Sequence, residues 1–522
     1  MHHIFEVDEI VRFIASSIAY GNPKGAVSFA CCCRSLSAPV LDTIWGDYQE
    51  DFTRLLQTLP PSAWTIVDEA FDFVRQPSEE EWARLSIYAE RMRHFMEPRD
   101  AAPSEVALRL LNTRFSGRCM LPNLQDIGWI NASPEHLELI LPLIVSPVLT
   151  NFRLGVSIGR FFDVPQVVLA LEALAPAYNS LVEIRIYNSM IHDPRIIDAT
   201  STLLLRCNPN KLRYFRVGSC LSTEAFIHAT QLPHLEAFAM RTDTTGLGVP
   251  LPTSMFPSLK LLEINATNPR SPLLKTIAHI QSKTLDRLDL ISPAATLGTF
   301  LPATLAALRP RGLYQTLTAL SIFPKGGLEL DMAIIRPLLC LNQLTHLEIM
   351  LICSRNSCPY GLSDEDLEEL VKAMPKLRLL SLGSVPCSRP VNNTIKSLVA
   401  IAKHCKHLDR LVIHTNVEAI VNGAFQRGGW GEDPTVENCP SALVGCPLRN
   451  IVFGPCFIPN EEQGATIFAL MLLRLFPYLR SLAVFFLTRE ADPLWELVND
   501  VITTHKRVGT NVASAAADMG VN

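Results

Sequence analysis

Large apolar residues recur in the order L-x-x-L-x-L along most of the chain, any large apolar side chain being admitted at the three anchors. The pattern opens as LQDIGW from Leu124, LTNFRL from Leu149, LVEIRI from Leu181, LRYFRV from Leu212 and LEAFAM from Leu235. It continues as LKLLEI from Leu259, LDRLDL from Leu285, LTALSI from Leu317, LTHLEI from Leu344 and LRLLSL from Leu377. LDRLVI from Leu408, LRNIVF from Leu448 and LRSLAV from Leu479 complete it. Successive copies begin 23 to 40 residues apart. One copy means little in an apolar chain. Thirteen, each of strand length and each followed by a helix-compatible stretch, predict an array of repeats.

The connecting segments fit that prediction. In SDEDLEELVKAM, Ser363 stands three residues before the acidic Asp366, a capping-box arrangement, and Leu367, Leu370, Val371 and Met374 share one helical face. NNTIKSLVAIAKHC and SPLLKTIAHI have the same amphipathic spacing. Pro233, Pro257, Pro375 and Pro477 each come two residues before a strand anchor, where a helix would end. Each unit therefore reads as strand, turn and helix, the next strand running parallel, and stacking supplies the core that no unit has alone. The plainer alternative is an ordinary α/β domain with leucine-rich strands. The pattern resembles leucine-rich repeats from Leu124 to about Leu487. In that family Asn or Cys commonly follows the third anchor by three residues; here Cys220, Asn416 and Cys456 occupy the slot and most copies depart from it.

The first 120 residues differ. VDEIVRFIASSI places Ile10, Val11, Phe13, Ile14 and Ile18 mostly on one side of a helix, and two further short helices follow the break at YGNPKG. Together they would bury Phe29, Cys33, Leu36, Leu41 and Trp45. At this size the unit would lean on a neighbour or partner. Cys31, Cys32 and Cys33 are consecutive. Helical geometry points adjacent residues about 100° apart, which suits packing better than a shared metal. Cys31 and Cys32 are expected in apolar positions, with palmitoylation or oxidation as the alternative.

The order FEVDEIVRFI, then AVSFACCCRSLSAPVLDTIWGDY, resembles the F-box of fungal F-box proteins with leucine-rich repeats. Cys33 and Arg34 match the family's C-R pair; Pro39, Leu41, Asp42 and Trp45 match its closing motif. PSEEEWARLSIYAERMRHF is similar to the family's linker, whose end would form a first, degenerate repeat strand near Met92 to Met96. The family's proline at the start of the first helix is replaced by Asp8. The resemblance implies an α/β leucine-rich-repeat solenoid, its parallel sheet concave and its helices convex, preceded by a small three-helix F-box-like module. The expected division is 1–50 helical module, 51–120 linker and solenoid cap, 121–490 irregular repeats, and 491–522 a terminal helix near Leu494 to Thr504 with an unpacked tail. It further implies a substrate receptor of an SCF-type ubiquitin ligase. Val7, Asp8, Ile10, Val11, Ile14, Leu41 and Trp45 would meet the adaptor subunit and, through it, a cullin. The role would be proximity, holding a client near ubiquitin-loaded machinery without making bonds. A repeat scaffold or inhibitor without ligase function is the alternative.

Composition narrows the partners. The 522 residues are 48% hydrophobic and 19% charged, with a net charge of −5 and no dense Lys/Arg run, which argues against binding through nucleic-acid phosphates. The amino-terminal stretch is acidic where a signal peptide would be basic, and the apolar run Ala465 to Leu473 is too short to cross a bilayer. A soluble protein of the cytoplasm or nucleus is expected, its fourteen cysteines reduced. The sequons at Asn131, Asn265 and Asn392 then say little. No nucleotide-binding, metalloprotease or kinase motif is present. The glycine-rich Gly423 to Gly431 lies in the longest gap between repeats and reads as a loop. HCKH (His404 to His407) and the pair Cys353 and Cys358 lack a second cluster for a metal. No catalytic set, cofactor or metal is expected.

Alternation along each strand sends the residue between the second and third anchors to the open face of the sheet. That column runs Gly128, Arg153, Arg185, Arg216, Ala239, Glu263, Asp289, Ser321, Glu348 and Ser381. Arg153, Arg185 and Arg216, with Tyr187 and Arg241 beside them, are the candidate contacts to an acidic or phosphorylated client. The competing reading is that Glu183 and solvent neutralise an ordinary surface.

Overall fold

The computed structural model describes residues 7–46, 50–96, 102–129, 134–155, 164–187, 193–242, 252–266, 277–309, 312–325, 330–352, 360–385, 391, 393–417, 420, 446–453, 461–484 and 494–504. The chain divides into two compact units, residues 1–241 with 246–259, and residues 242–245 with 260–522.

The first unit opens with α1 (Asp8–Gly21), α2 (Pro23–Ala30) and α3 (Arg34–Gly46). Asn22 caps α2 by accepting the Gly25 N–H at 2.9 Å, and Pro23 sits at its first position, where a missing N–H costs nothing. The three helices close over Val11, Ala15, Ala30, Leu36 and Val40, with Phe29, Cys33 and Ile44 packed at the rim. Two expectations fail. Leu41 and Trp45 are only half-buried, and Cys31 and Cys32 are exposed. The reason is that α2 stops at Ala30, so both cysteines fall in the turn before α3 rather than on a packed helical face.

Strands β1 (Glu50–Asp51), β4 (His94–Met96), β6 (Asp126–Trp129), β7 (Asn151–Gly155), β8 (Glu183–Tyr187), β9 (Tyr214–Val217) and β10 (Ala237–Thr242) succeed one another in one parallel sheet. β4 is the degenerate strand expected near Met92 to Met96. A separate small sheet holds β2 (Trp64–Val67), β3 (Ala70–Phe73) and β5 (Ala102–Pro103) in the order β2-β3-β5. Between them stand α4 (Phe52–Leu56) and α5 (Glu79–Ala89), the latter opened by a capping box of Ser78 and Glu81.

The second unit repeats the plan with β11 (Leu261–Ala266), β12 (Arg287–Pro293), β13 (Ala319–Lys325), β14 (His346–Ile352), β15 (Leu379–Val385), β16 (Arg410–Ile413), β17 (Asn450–Phe453) and β18 (Ser481–Val484), again parallel and in chain order. All thirteen sequence copies are strands, each beginning two residues after its first anchor, and the first two anchors of every copy are buried. Both units are leucine-rich-repeat solenoid.

One backbone contact recurs from repeat to repeat within each unit. The carbonyl of a repeat's second residue accepts two N–H groups from the next repeat: Thr318 O takes those of Thr345 and His346 at 2.7 and 3.0 Å, and Thr345 O those of Arg378 and Leu379 at 2.7 and 3.0 Å. Side chains add to it on the helical side. Ser363 caps the helix Asp364–Ala373 in the expected box with Asp366, and the Asp364 carboxylate then accepts from Thr394 N–H at 2.8 Å and Thr394 hydroxyl at 2.6 Å in the next repeat. At the far edge the Asn499 amide donates to Leu482 O at 2.9 Å and accepts from Leu482 N–H at 3.2 Å, while Trp495 packs on Phe453 and Phe468. Asn499 and Trp495 stand on the helix at residues 494–504.

The β2–β3 turn is made by Asp68 and Glu69 with φ of 52° and 60°, a left-handed pair that Gly or Asn adopts more readily. Replacing Glu69 by Gly is expected to stabilise this hairpin by about 0.5–1 kcal/mol. Hydrogen exchange of the peptide covering β2 and β3, monitored by mass spectrometry, should then slow roughly two- to fivefold.

Candidate functional site

Two surfaces of the first unit carry the residues that the sequence singled out. On α1, the stripe Val11, Ala15 and Ala19 is turned inward. Ile10 is 37% exposed, Phe13 73% and Tyr20 89%, on the opposite arc, with Val7 at 42% at the helix start. Of the expected adaptor contacts, Val7, Asp8 and Ile10 are exposed and Ile14, Leu41 and Trp45 are half-buried. Val11, at 1% exposure, is core and available to no partner, which corrects the expectation. Phe13 and Tyr20 were not among the expected contacts. The signal was present: the apolar arc of α1 is wider than the one stripe that the core covers, and Phe13 stands at its edge. Asp8 comes directly after Val7 at the N-cap, which has no side-chain cap, so its carboxylate favours the helix through the dipole instead.

The α1–α3 module is fastened to α5 and the residues just past it. Asp42 on α3 accepts from Arg12 of α1 at 2.8 Å and from Arg91, beyond the end of α5. Trp45 lies against Tyr88 of α5 with ring centroids 5.4 Å apart, so its indole serves as a joint as well as surface. At the α2–α3 turn, Cys33 Sγ is 3.1 Å from Ser35 Oγ. That hydrogen bond, then the Leu36 N–H, holds the Cys33 thiol below the ordinary cysteine range.

On the strand face, Arg153, Arg185 and Arg216 stand in register on β7, β8 and β9. Glu183 Oε1 lies 2.7 Å from Arg153 Nε and 2.7 Å from Arg185 Nε. Asp126 Oδ2 is 3.5 Å from Arg153 and 3.9 Å from His94 Nδ1. Neutralisation by Glu183 is therefore what the geometry shows for two of the three arginines, and Asp126 and His94 extend the network. Their share could be found only once strand register was known. Arg241 is 9% exposed, on the buried side of the expectation. The Tyr187 side chain lies outside the described residues.

The histidines and cysteines singled out for metal binding have other surroundings. His404 is 3.8 Å from Glu368 and is held below the ordinary imidazole range, chiefly by burial; burial pushes the Cys405 thiol up to about 12. Among the described residues no group of three His, Cys, Asp or Glu side chains is placed to hold a metal ion, and no helix is long and apolar enough to cross a membrane. Cys353, Cys358 and the stretch Gly423 to Gly431 lie outside the described residues.

No family model and no curated protein matches the chain. Solved structures with a similar arrangement include the complex of Rad7 and Elc1 from yeast, 13% identical with a TM-score of 0.36, covering 78% of this chain and 88% of that one. The leucine-rich repeat-containing protein LegL7 from Legionella pneumophila is 11% identical with a TM-score of 0.34, covering 68% of this chain and 98% of that one.

Glu183 is buried while its arginines are partly exposed, so screening reduces what the pairs contribute. Glu183→Ala is expected to cost about 1–2 kcal/mol, read from the urea midpoint, because two guanidiniums lose their acceptor. For Cys33, alkylation by iodoacetamide should reach half its maximal rate below the ordinary thiol pKa of about 8.5, and Ser35→Ala should move that midpoint upward.

Proposed function

We propose that the chain is the substrate-recognition subunit of an SCF-type ubiquitin ligase, α1 docking the adaptor subunit and the outward strand faces of the repeats binding a client protein. The observation that carries this reading is the apolar arc Ile10, Phe13 and Tyr20, held in the open on a helical module whose order of motifs resembles an F-box. Large exposed aromatic residues on one arc of a helix are the usual anchors of a protein interface. Asp42, Arg91 and the Trp45–Tyr88 contact support it further, because they hold that arc in a fixed relation to the first repeats. The protein's part is then proximity, with no bond made or broken by its own side chains. The arginine row would have to meet an acidic or phosphorylated client in competition with Glu183 and Asp126.

Co-purification tests the adaptor contact. The full-length chain is expected to recover the adaptor stoichiometrically, and Ile10→Asp with Phe13→Asp to reduce recovery at least about tenfold, since charges replace central anchors. Both positions are exposed, so the variant's thermal transition should match the wild type's. No recovery with the intact chain would favour a repeat scaffold that works without a ligase, and recovery by the variant equal to the wild type's would remove the contact from this arc.

A further inference from the structure

The outward face of the second unit is chemically unlike the arginine row of the first. Alternate residues of each strand face outward. In the middle row Ser321, Glu348 and Ser381 stand in register on β13, β14 and β15. One step further along the strands, Ile291 and Phe323 stand in register on β12 and β13, with Met350 next on β14. Met350 is 40% exposed, and Gly383, its partner on β15, has no side chain to cover it. Ile291 and Phe323 are half-buried. The row is a short apolar ridge on the outward face of the sheet.

Glu348 lies beside that ridge, half-buried, and forms no ion pair with a described residue. Its register neighbours are serines, whose hydroxyls carry no charge. Asp289, on the other side of Ser321, has its own cation: Arg287 Nε is 3.0 Å away. His346 precedes Glu348 on the same outward side, with Nδ1 2.8 Å from Thr345 Oγ1. Burial, and then the charges of Arg287 and Arg378, hold His346 below the ordinary imidazole range, so it is uncharged at neutral pH and leaves Glu348 unneutralised.

These facts constrain what can cover the ridge. A partner that buries Met350 and Phe323 gains apolar contact but also strips water from the Glu348 carboxylate. Burying an unpaired carboxylate costs more than the ridge returns unless a cation arrives with the cover. An acidic or purely apolar segment is thereby disfavoured. We propose that the face centred on Glu348, Phe323 and Met350 binds a protein segment in which a Lys or Arg stands next to large apolar side chains, the cation pairing with Glu348 and the apolar groups lying on the ridge. This rests on the reading of the repeats as the client-binding surface and names the chemistry of the client.

The test is selection of short random peptides, displayed on phage, against the immobilised full-length chain without adaptor. Enriched peptides should carry Lys or Arg beside Leu, Ile, Phe or Met. A synthetic copy of the enriched sequence should bind at least about tenfold more weakly to Glu348→Lys and to Met350→Asp, and as tightly to Arg185→Glu as to the wild type. Absence of enriched peptides carrying Lys or Arg beside apolar residues, or an affinity that Glu348→Lys leaves unchanged, would overturn the proposal. Adaptor recovery is measured on the same variants. Loss of peptide binding with adaptor recovery intact locates the effect in this face, while failure to recover adaptor bears on α1 alone.

Discussion

Everything placed on the sheet faces depends on one carbonyl per repeat. Where the oxygen of a repeat's second residue accepts two N–H groups of the next, the next strand can start at one position only. The contact is repeated without a break from Arg93 O to Arg213 O in the first unit and from Lys260 O to Arg449 O in the second. Because side chains alternate with period two, a slip by one residue would turn every leucine anchor outward. The ladder thus holds the apolar anchors inside, and the same restriction lines up Arg153 with Arg185 and Arg216, or Ser321 with Glu348 and Ser381. Rows of function are a by-product of rows of packing.

The helical module is joined to the repeats by different physics. Ion pairs as open as those of Asp42 contribute little by themselves, since solvent screens them. Their value is directional, for two arginines from different elements converge on one carboxylate. The apolar contact across this joint is that of Trp45 against Tyr88. An interface held by apolar area and oriented by charge keeps the exposed arc of α1 pointing one way.

How far the sequence reveals these features depends on how local their causes are. The thirteen strands were legible because each repeats the same three anchors, the first two of which are buried in every copy. β4 was legible through its resemblance to a linker, and β1, two residues long, carries no periodic signal at all. The β2–β3 hairpin escaped because Asp-Glu is a poor match to the Asn-Gly or Asp-Gly expected of a left-handed turn. On α1 the apolar arc is broad and holds both Val11 and Phe13, so periodicity alone did not choose which edge turns inward; packing chose the stripe that included two alanines. The arginine column and Glu183 were visible in sequence, whereas Asp126 and His94 join them from β6 and β4 only through the strand register. The ridge of Ile291, Phe323 and Met350 lies just past the third anchor, beyond the repeated motif itself.

The amide of Asn499 has a consequence for how the array ends. A parallel sheet that grows by one strand per repeat has no internal reason to stop, and an open last strand is a template for a foreign chain. Asn499 presents to Leu482 one donor and one acceptor, the pair of groups that another strand's backbone would offer. A single side chain therefore impersonates the next strand. With Trp495 packed on Phe453 and Phe468 beside it, the β18 edge is met, among the described residues, by chemical mimicry of a strand.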